Sequence, residues 1–347
     1  MTASGTVRVL VVDDSAFARK VLRESLSTHR GIEVVGTARD GLEALEKIAE
    51  LKPDVITLDL IMPNLDGMGV LHALPPTGGP RVVIVSISDG DSALGIEALQ
   101  AGAVELVHKP TALATDRLYE LSGELIQKVL AAGGAARPVI KESPAPVSPL
   151  SGAIRALATV KLVVIGTSTG GPQALTRLLT ALPAELPCAV AVALHIPAGY
   201  TEALARRLND HARVSVFEAW EGAALPPGSV AIARGGSHLR IRADNGKLTT
   251  HISQEPADAP YCPSVNVLFE SAAEALGPAV MGVVLTGMGD DGLIGSRAIR
   301  AAHGRVLTEA ASSCVVYGMP RAVNEAQLSM GVFPLEEMAS AIVSRLA

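Results

Sequence analysis

Ser168 lies in Val164-Ile165-Gly166-Thr167-Ser168-Thr169-Gly170-Gly171-Pro172, an apolar run that breaks into Gly-x-Ser-x-Gly and then reads as a helix start. Small flanking residues let a serine sit on a sharp turn with its hydroxyl exposed. Free N–H groups at the start of the following helix favour a developing oxyanion. No Gly-Lys-Ser/Thr follows, so this is not a Walker loop, and it is not Gly-x-Gly-x-x-Gly. The pentapeptide alone also fits a glycine-rich turn that binds phosphate or nothing. A nucleophilic serine needs a base. Of the eight histidines, only His195 ends a central apolar run, Ala189–Leu194. A third group must hold the imidazole tautomer. Asp290 and Asp291 follow Val280–Leu285 through Thr286-Gly287-Met288-Gly289, and residue types alone leave open which of them faces His195. The order Ser168, His195, Asp291 differs from the Ser-Asp-His order of α/β-hydrolases. No His-Glu-x-x-His is present, which argues against metal-dependent hydrolysis.

A second constellation lies near the N-terminus. Asp13 and Asp14 follow the apolar run Val7–Val12, and Asp59 follows Asp54–Leu58. Ligands of open parallel sheets sit beyond the carboxyl ends of the strands. Three carboxylates meeting there need a cation. Few, hard oxygen donors suit Mg2+, which keeps several waters and accepts a phosphoryl oxygen. Ser86 closes a fourth strand and Lys109 follows a fifth, and both suit phosphoryl oxygens. The set fits an aspartyl-phosphate. For any one aspartate the competing role is helix capping.

These residues require particular elements. Apolar runs at Val7–Val12, Ile32–Val35, Asp54–Leu58, Arg81–Ile87 and Val104–Val107 alternate with stretches of helical spacing. Five such repeats predict a parallel sheet covered on both faces. Residues 131–158 carry Gly133-Gly134, Pro138, Pro144, Pro146 and Pro149, a composition that predicts a linker. A second α/β pattern starts near residue 161. Its predicted parallel strands are Leu162–Ile165, Ala189–Leu194, Val214–Glu218, Val280–Leu285 and Val306–Leu307. Val230–Ala233 is a further strand, and a hairpin turns at Asp244-Asn245-Gly246 between His238–Arg242 and Lys247–His251. Helices are predicted at Pro172–Leu182, Thr201–Leu208, Val265–Leu276, Gly292–Ala302 and Leu335–Leu346.

Composition narrows the function classes. The 347 residues allow two domains or three. Residues 1–130 hold 12 basic and 18 acidic side chains, and residues 159–347 hold 14 and 16. Neither has the basic excess of a DNA-binding output domain, and 3% aromatics argue against base-stacking platforms. No apolar run reaches the ~20 residues of a membrane span, and the first residues lack a signal-peptide pattern. Three widely spaced cysteines fit a reducing cytosol and no disulfide framework, so a cytoplasmic protein is expected.

Residues 6–125 resemble a response-regulator receiver domain, through Val11-Val12-Asp13-Asp14-Ser15, Leu58-Asp59-Leu60-Ile61-Met62-Pro63 with Asp66-Gly67, Val85-Ser86 and Lys109-Pro110. The resemblance implies a flavodoxin-like (βα)5 fold with Asp59 as phosphoacceptor. It implies Asp13, Asp14 and Asp59 as Mg2+ ligands, and Ser86 and Lys109 as phosphate partners. Leu106 stands where relatives usually carry a Phe or Tyr that rotates on activation, and Ile61 where many are polar.

Over nearly its whole length the chain resembles the chemotaxis protein-glutamate methylesterase family, CheB. The carriers are the Gly166–Gly171 segment, His195-Ile196-Pro197-Ala198-Gly199-Tyr200-Thr201, Pro263-Ser264-Val265-Asn266-Val267-Leu268-Phe269, Thr286–Gly292, and Ser313-Cys314-Val315-Val316-Tyr317-Gly318-Met319-Pro320. The resemblance implies Ser168 as nucleophile, His195 as base, Asp291 as orienter and the N–H groups of Met288 and Thr169 as the oxyanion hole. Asp290 stands where relatives often have a neutral residue, and Cys262 where many have an arginine.

The expected organisation is a receiver domain (1–128), a linker (129–158) and a doubly wound, mostly parallel α/β catalytic domain with an antiparallel hairpin (159–347). The catalytic domain is expected to need no cofactor. The expected activity is phosphorylation-controlled demethylation of chemoreceptor glutamyl esters, and deamidation of glutamines, with a histidine kinase as phosphodonor. Neither nucleic-acid binding nor membrane insertion is expected. The unmodified first domain is expected to cover the Ser168 face. The competing class is a phosphorylation-switched docking protein without catalysis.

Overall fold

The computed structural model describes residues 6–75, 78–87, 92–109, 115–134 and 159–346. The chain falls into two compact units, divided between Arg137 and Pro138.

In the first unit the strands are β1 (Val7–Val12), β2 (Ile32–Ala38), β3 (Val55–Leu58), β4 (Arg81–Ile87) and β5 (Glu105–Lys109). They alternate with α1 (Ala16–Ser27), α2 (Gly41–Leu51), α3 (Gly67–Ala73), α4 (Ser92–Gln100) and α5 (Thr115–Gly134). The sheet order is β2-β1-β3-β4-β5 and every pairing is parallel. All of β3 is buried, as expected of a strand covered on both faces. Ser15, Asp40 and Asp66 cap α1, α2 and α3 by accepting from Ala18, Glu43 and Gly69. Lys109 is the last residue of β5, not the residue after it.

Helix α5 continues through Gly133-Gly134, where the glycine pair predicts a stop. Gly133 fits because the helix packs tightly there, whereas the space beside Gly134 is open. A Cβ at Gly133 would lie 2.5 Å from Val7 Cγ1. The proline-rich segment 135–158 lies outside the described residues.

In the second unit the strands are β6 (Leu162–Thr167), β7 (Ala189–Leu194), β8 (Ser215–Glu218), β9 (Ser229–Ile232), β10 (His238–Asp244), β11 (Lys247–Ser253), β12 (Val280–Val284), β13 (Arg305–Glu309) and β14 (Val332–Phe333). Its α-helices are α6 (Gly171–Ala181), α7 (Thr201–His211), α8 (Val265–Leu276), α9 (Leu293–Ala301), α10 (Met319–Glu325) and α11 (Leu335–Val343). Seven strands form a parallel sheet of order β14-β13-β12-β6-β7-β9-β8. Strands β10 and β11 form a separate antiparallel hairpin. Asn245 and Gly246 both have positive φ at its tip, the demand of a type I′ turn. The core joins β6, β7, β9 and β12 to α8 through Val164, Ala191, Ala231, Leu268 and Phe269. Among the described residues, no helix is long and apolar enough to cross a membrane.

Candidate active site

Strands β12, β6 and β7 are neighbours at the centre of the seven-stranded sheet, and their carboxyl ends carry the three predicted side chains. The last β6–β7 register pair is Thr167 with Leu194, so Ser168 and His195 leave the sheet side by side. The His195 N–H donates to the Thr167 carbonyl at 3.1 Å. The loop after β12 closes over the serine, and the Ser168 N–H donates to the Thr286 carbonyl at 3.0 Å. Contact there is so close that a Cβ at Gly287 would lie 2.9 Å from Ser168 Cβ. Ser168 itself does not have positive φ. The left-handed position of the turn is Gly170, at φ 79°.

Asp291 is buried and Asp290 is exposed, so geometry separates the two aspartates. His195 Nε2 lies 2.8 Å from Asp291 Oδ2. The same carboxylate accepts from Val265 N at 2.7 Å, Asn266 N at 2.9 Å and Ser264 Oγ at 3.0 Å. Those are the cap residue and the first free N–H groups of α8, a ready anion site. Burial pushes the Asp291 carboxyl up, but the His195 hydrogen bond and charge and the two backbone donors outweigh it, leaving the pKa lowered. Asn266 Oδ1 returns the favour by accepting from Gly292 N at 2.9 Å and Gly295 N at 2.8 Å, which fixes the start of α9.

With Nε2 committed to the carboxylate, Nδ1 is the nitrogen left for proton transfer. It is buried and has no hydrogen-bond partner among the described residues. This is the reverse of the serine-protease assignment, in which Nε2 faces the serine. No Ser168–His195 hydrogen bond is formed. Such bonds are commonly open before substrate binds. The Met288 N–H makes no backbone hydrogen bond among the described residues, and Thr169 is buried beside the serine.

At the carboxyl edge of the first unit, oxygens of Asp13, Asp14 and Asp59 lie within 4.8 Å of one another. Lys109 Nζ is 2.5 Å from Asp13 Oδ2 and 2.7 Å from Asp59 Oδ2. Burial, opposed by the Lys109 charge, pushes the Asp13 carboxyl up. Burial pulls Lys109 down, but Asp59 and Asp13 outweigh it and leave it raised. Ser86 is buried on β4, next to β5.

Comparison with known proteins places both units. Residues 163–342 match the family described as CheB methylesterase, and residues 9–120 match the response regulator receiver domain. A Myxococcus xanthus relative named protein-glutamate methylesterase/protein-glutamine glutaminase 5 is 60% identical over 97% of both chains. The chain belongs to the CheB methylesterase family. A protein-glutamate methylesterase/protein-glutamine glutaminase of Symbiobacterium thermophilum is 43% identical, covering 97% of this chain and 96% of its own. The crystal structure of the Thermotoga maritima CheB methylesterase catalytic domain superposes with TM-score 0.52 at 35% identity, over 54% of this chain and 99% of that one.

In this CheB-family chain, two features of the site carry no sequence signal of their own. The Tyr261 ring stacks on the His195 imidazole, with centroids 4.1 Å apart and planes 9° from parallel. Burial first, then the Asp291 and Asp290 charges, push its phenol up, so the ring stays neutral. Glu309, fully buried at the end of β13, accepts from Thr286 N at 2.8 Å and Ser313 Oγ at 2.9 Å. Thr286 in turn receives Ser168 N and Thr167 Oγ1 on its carbonyl and donates its hydroxyl to the Thr169 carbonyl at 2.9 Å. Only a residue's place in sequence was legible for Tyr261 and Glu309, because each acts across strands or loops far apart in the chain. Leu106 is fully buried on β5, and Ile61 is exposed.

Proposed function

We infer that this chain is a phosphorylation-controlled serine hydrolase that demethylates glutamyl γ-methyl esters and deamidates glutamines on chemoreceptors in the cytoplasm. The observation that carries this reading is the His195–Asp291 pair at 2.8 Å on the strand end beside Ser168. His195 Nδ1 takes the Ser168 proton while Oγ attacks the γ-carbonyl carbon. Asp291 holds the tautomer with the proton on Nε2 and stabilises the imidazolium. The oxyanion is received by the Met288 and Thr169 N–H groups. One such donor is typically worth about 2.7–4 kcal/mol. The C–O bond to the methoxy group then breaks, the imidazolium returns its proton, and methanol leaves a glutamyl ester on Ser168. Water, deprotonated by His195, attacks that ester, restoring the serine and releasing glutamate. With glutamine, ammonia leaves instead, and this poorer leaving group leans harder on His195 as an acid.

In the first unit, Asp59 is the phosphoacceptor and a histidine kinase supplies the phosphoryl group. Asp13, Asp14 and Asp59 offer the hard oxygen set that suits Mg2+. When bound there, the ion neutralises charge on the transferring phosphoryl group. The Lys109 ammonium and Ser86 hydroxyl hold phosphoryl oxygens.

The test is methanol release from methylated chemoreceptors, with and without a small-molecule phosphodonor. The expected result is release that rises with the phosphodonor and is lost in Ser168→Ala. Release retained by Ser168→Ala would overturn the mechanism. A pure docking protein would show no release at all.

A further inference from the structure

We propose that the groove between α7 and the end of β8, with Trp220 and Arg234 at its rim, grips the polypeptide flanking the modified side chain. The proposal rests on the hydrolase reading and adds to it how a protein substrate is held.

The groove encloses about 590 Å³. Phe217 and Trp220 form one wall, their rings 4.9 Å apart. Trp220 is the chain's single tryptophan and is 58% exposed. An exposed indole on a groove lip is unusual for a residue that favours burial, and Trp and Arg dominate the energetics of protein recognition. The charged side chains of the groove differ in their partners. Among the acidic residues of the groove, Glu202 pairs with Arg206, Glu218 accepts from Thr201 Oγ1, and Glu221 accepts from His251 and Ile252 N. Arg234 is exposed, and its side chain makes no hydrogen bond or ion pair among the described residues. Among the described residues Arg234 is therefore the one charged side chain of the groove with no hydrogen-bond or ion-pair partner, while Glu218, bonded to a neutral hydroxyl, keeps its negative charge. The matching ligand is a segment with an apolar side chain for Trp220 and a carboxylate for Arg234. A protein whose glutamyl residues are modified supplies such carboxylates.

The groove is continuous with the catalytic rim. Arg234 follows β9 and Trp220 follows β8, at the same sheet edge as Ser168. The backbone after Arg234 abuts the loop after His195, where a Cβ at Gly235 would lie 2.7 Å from the Pro197 carbonyl oxygen. Thr201 ties the two by accepting from Gly235 N at 3.2 Å and donating to Glu218. Strand spacing puts the groove roughly 10–15 Å from the serine. A helix of about ten residues spans that distance, and a free amino-acid ester does not.

The test compares two substrates of the full-length protein treated with a small-molecule phosphodonor. One is a methylated chemoreceptor, and the other is the γ-methyl ester of N-acetylglutamate. Trp220→Ala and Arg234→Ala are expected to raise KM for the receptor by roughly ten-fold or more. Turnover of the small ester should stay within two-fold. Trp220→Phe should recover most of the loss, and added salt should mimic Arg234→Ala. Equal losses on both substrates, or no loss on either, would overturn the groove's role. No methanol from either substrate with the unmutated chain would instead sink the hydrolase reading itself.

Discussion

At the scale of single residues, Asp291 does two jobs with one carboxylate: it holds His195 and it accepts the free N–H groups of α8. Asp291→Asn is expected to lower kcat by about 10³–10⁴-fold with little change in KM, because the amide can present its NH2 and favour the wrong tautomer. Steady-state methanol release checks this. The substitution also has a pH signature. The folded pKa of Asp291 is lowered, so its contribution to stability is present above the ordinary carboxylate value of about 3.9 and is lost as pH falls through the folded value. Denaturant midpoints of wild type and Asp291→Asn should thus differ near neutral pH and converge in acid. A gap that widens in acid would contradict the assigned charge state. Tyr261 gives a second residue-scale expectation. Its ring shields one face of the imidazole and limits rotation, so Tyr261→Phe should keep turnover near wild type. Tyr261→Ala should lower kcat about ten-fold and alter its pH profile. The stacking is invisible in the sequence, since Tyr261 lies in an aperiodic loop between Pro260 and Pro263.

At the scale of elements, the loop between β12 and α9 is the part that must be placed. It is fixed from beneath by Glu309 and from the side by Asn266. Asn266→Ala removes the single acceptor shared by Gly292 N and Gly295 N at the start of α9 and should destabilise the protein by about 1–2 kcal/mol. It should also lower kcat, because Asp291 directly precedes those two anchored turns. Gly287→Ala places a methyl 2.3 Å from Met319 Sδ and 2.9 Å from Ser168 Cβ, and should abolish turnover. Wild-type turnover in Gly287→Ala would mean the loop is not packed as described. The central strands were legible because each is a short apolar run ending at a chemically marked residue: Ser168 after β6, His195 after β7, Asp59 after β3. Strand β14 was not, since Val332–Phe333 is too short for any period to show. Helix α10 was hidden by its Pro320. The choice between Asp290 and Asp291, and the ring nitrogen left for catalysis, depend on how one loop folds onto α8. No pattern in residue types records that.

At the scale of the whole molecule, the chain joins a receiver-type unit to a CheB-type catalytic unit, each with its candidate site residues at the carboxyl edge of a parallel sheet. Control by phosphorylation predicts that Asp59→Asn leaves basal methanol release intact and removes the increase produced by a small-molecule phosphodonor. Stimulation that survives Asp59→Asn would place the control elsewhere. The expectation that the first unit covers the Ser168 face is tested by comparing the full chain with residues 159–347 alone. Masking predicts the faster rate from the fragment, and an equal or slower rate would contradict it.

The central claim is that Ser168 is made nucleophilic by His195. Treat the full-length protein with a fluorophosphonate, which traps activated serines, and map the adduct by peptide mass spectrometry. The expected result is a single modification on Ser168, loss of methanol release in step with labelling, and little labelling in His195→Ala. An adduct on another residue, or full labelling of Ser168 without the imidazole, would contradict it.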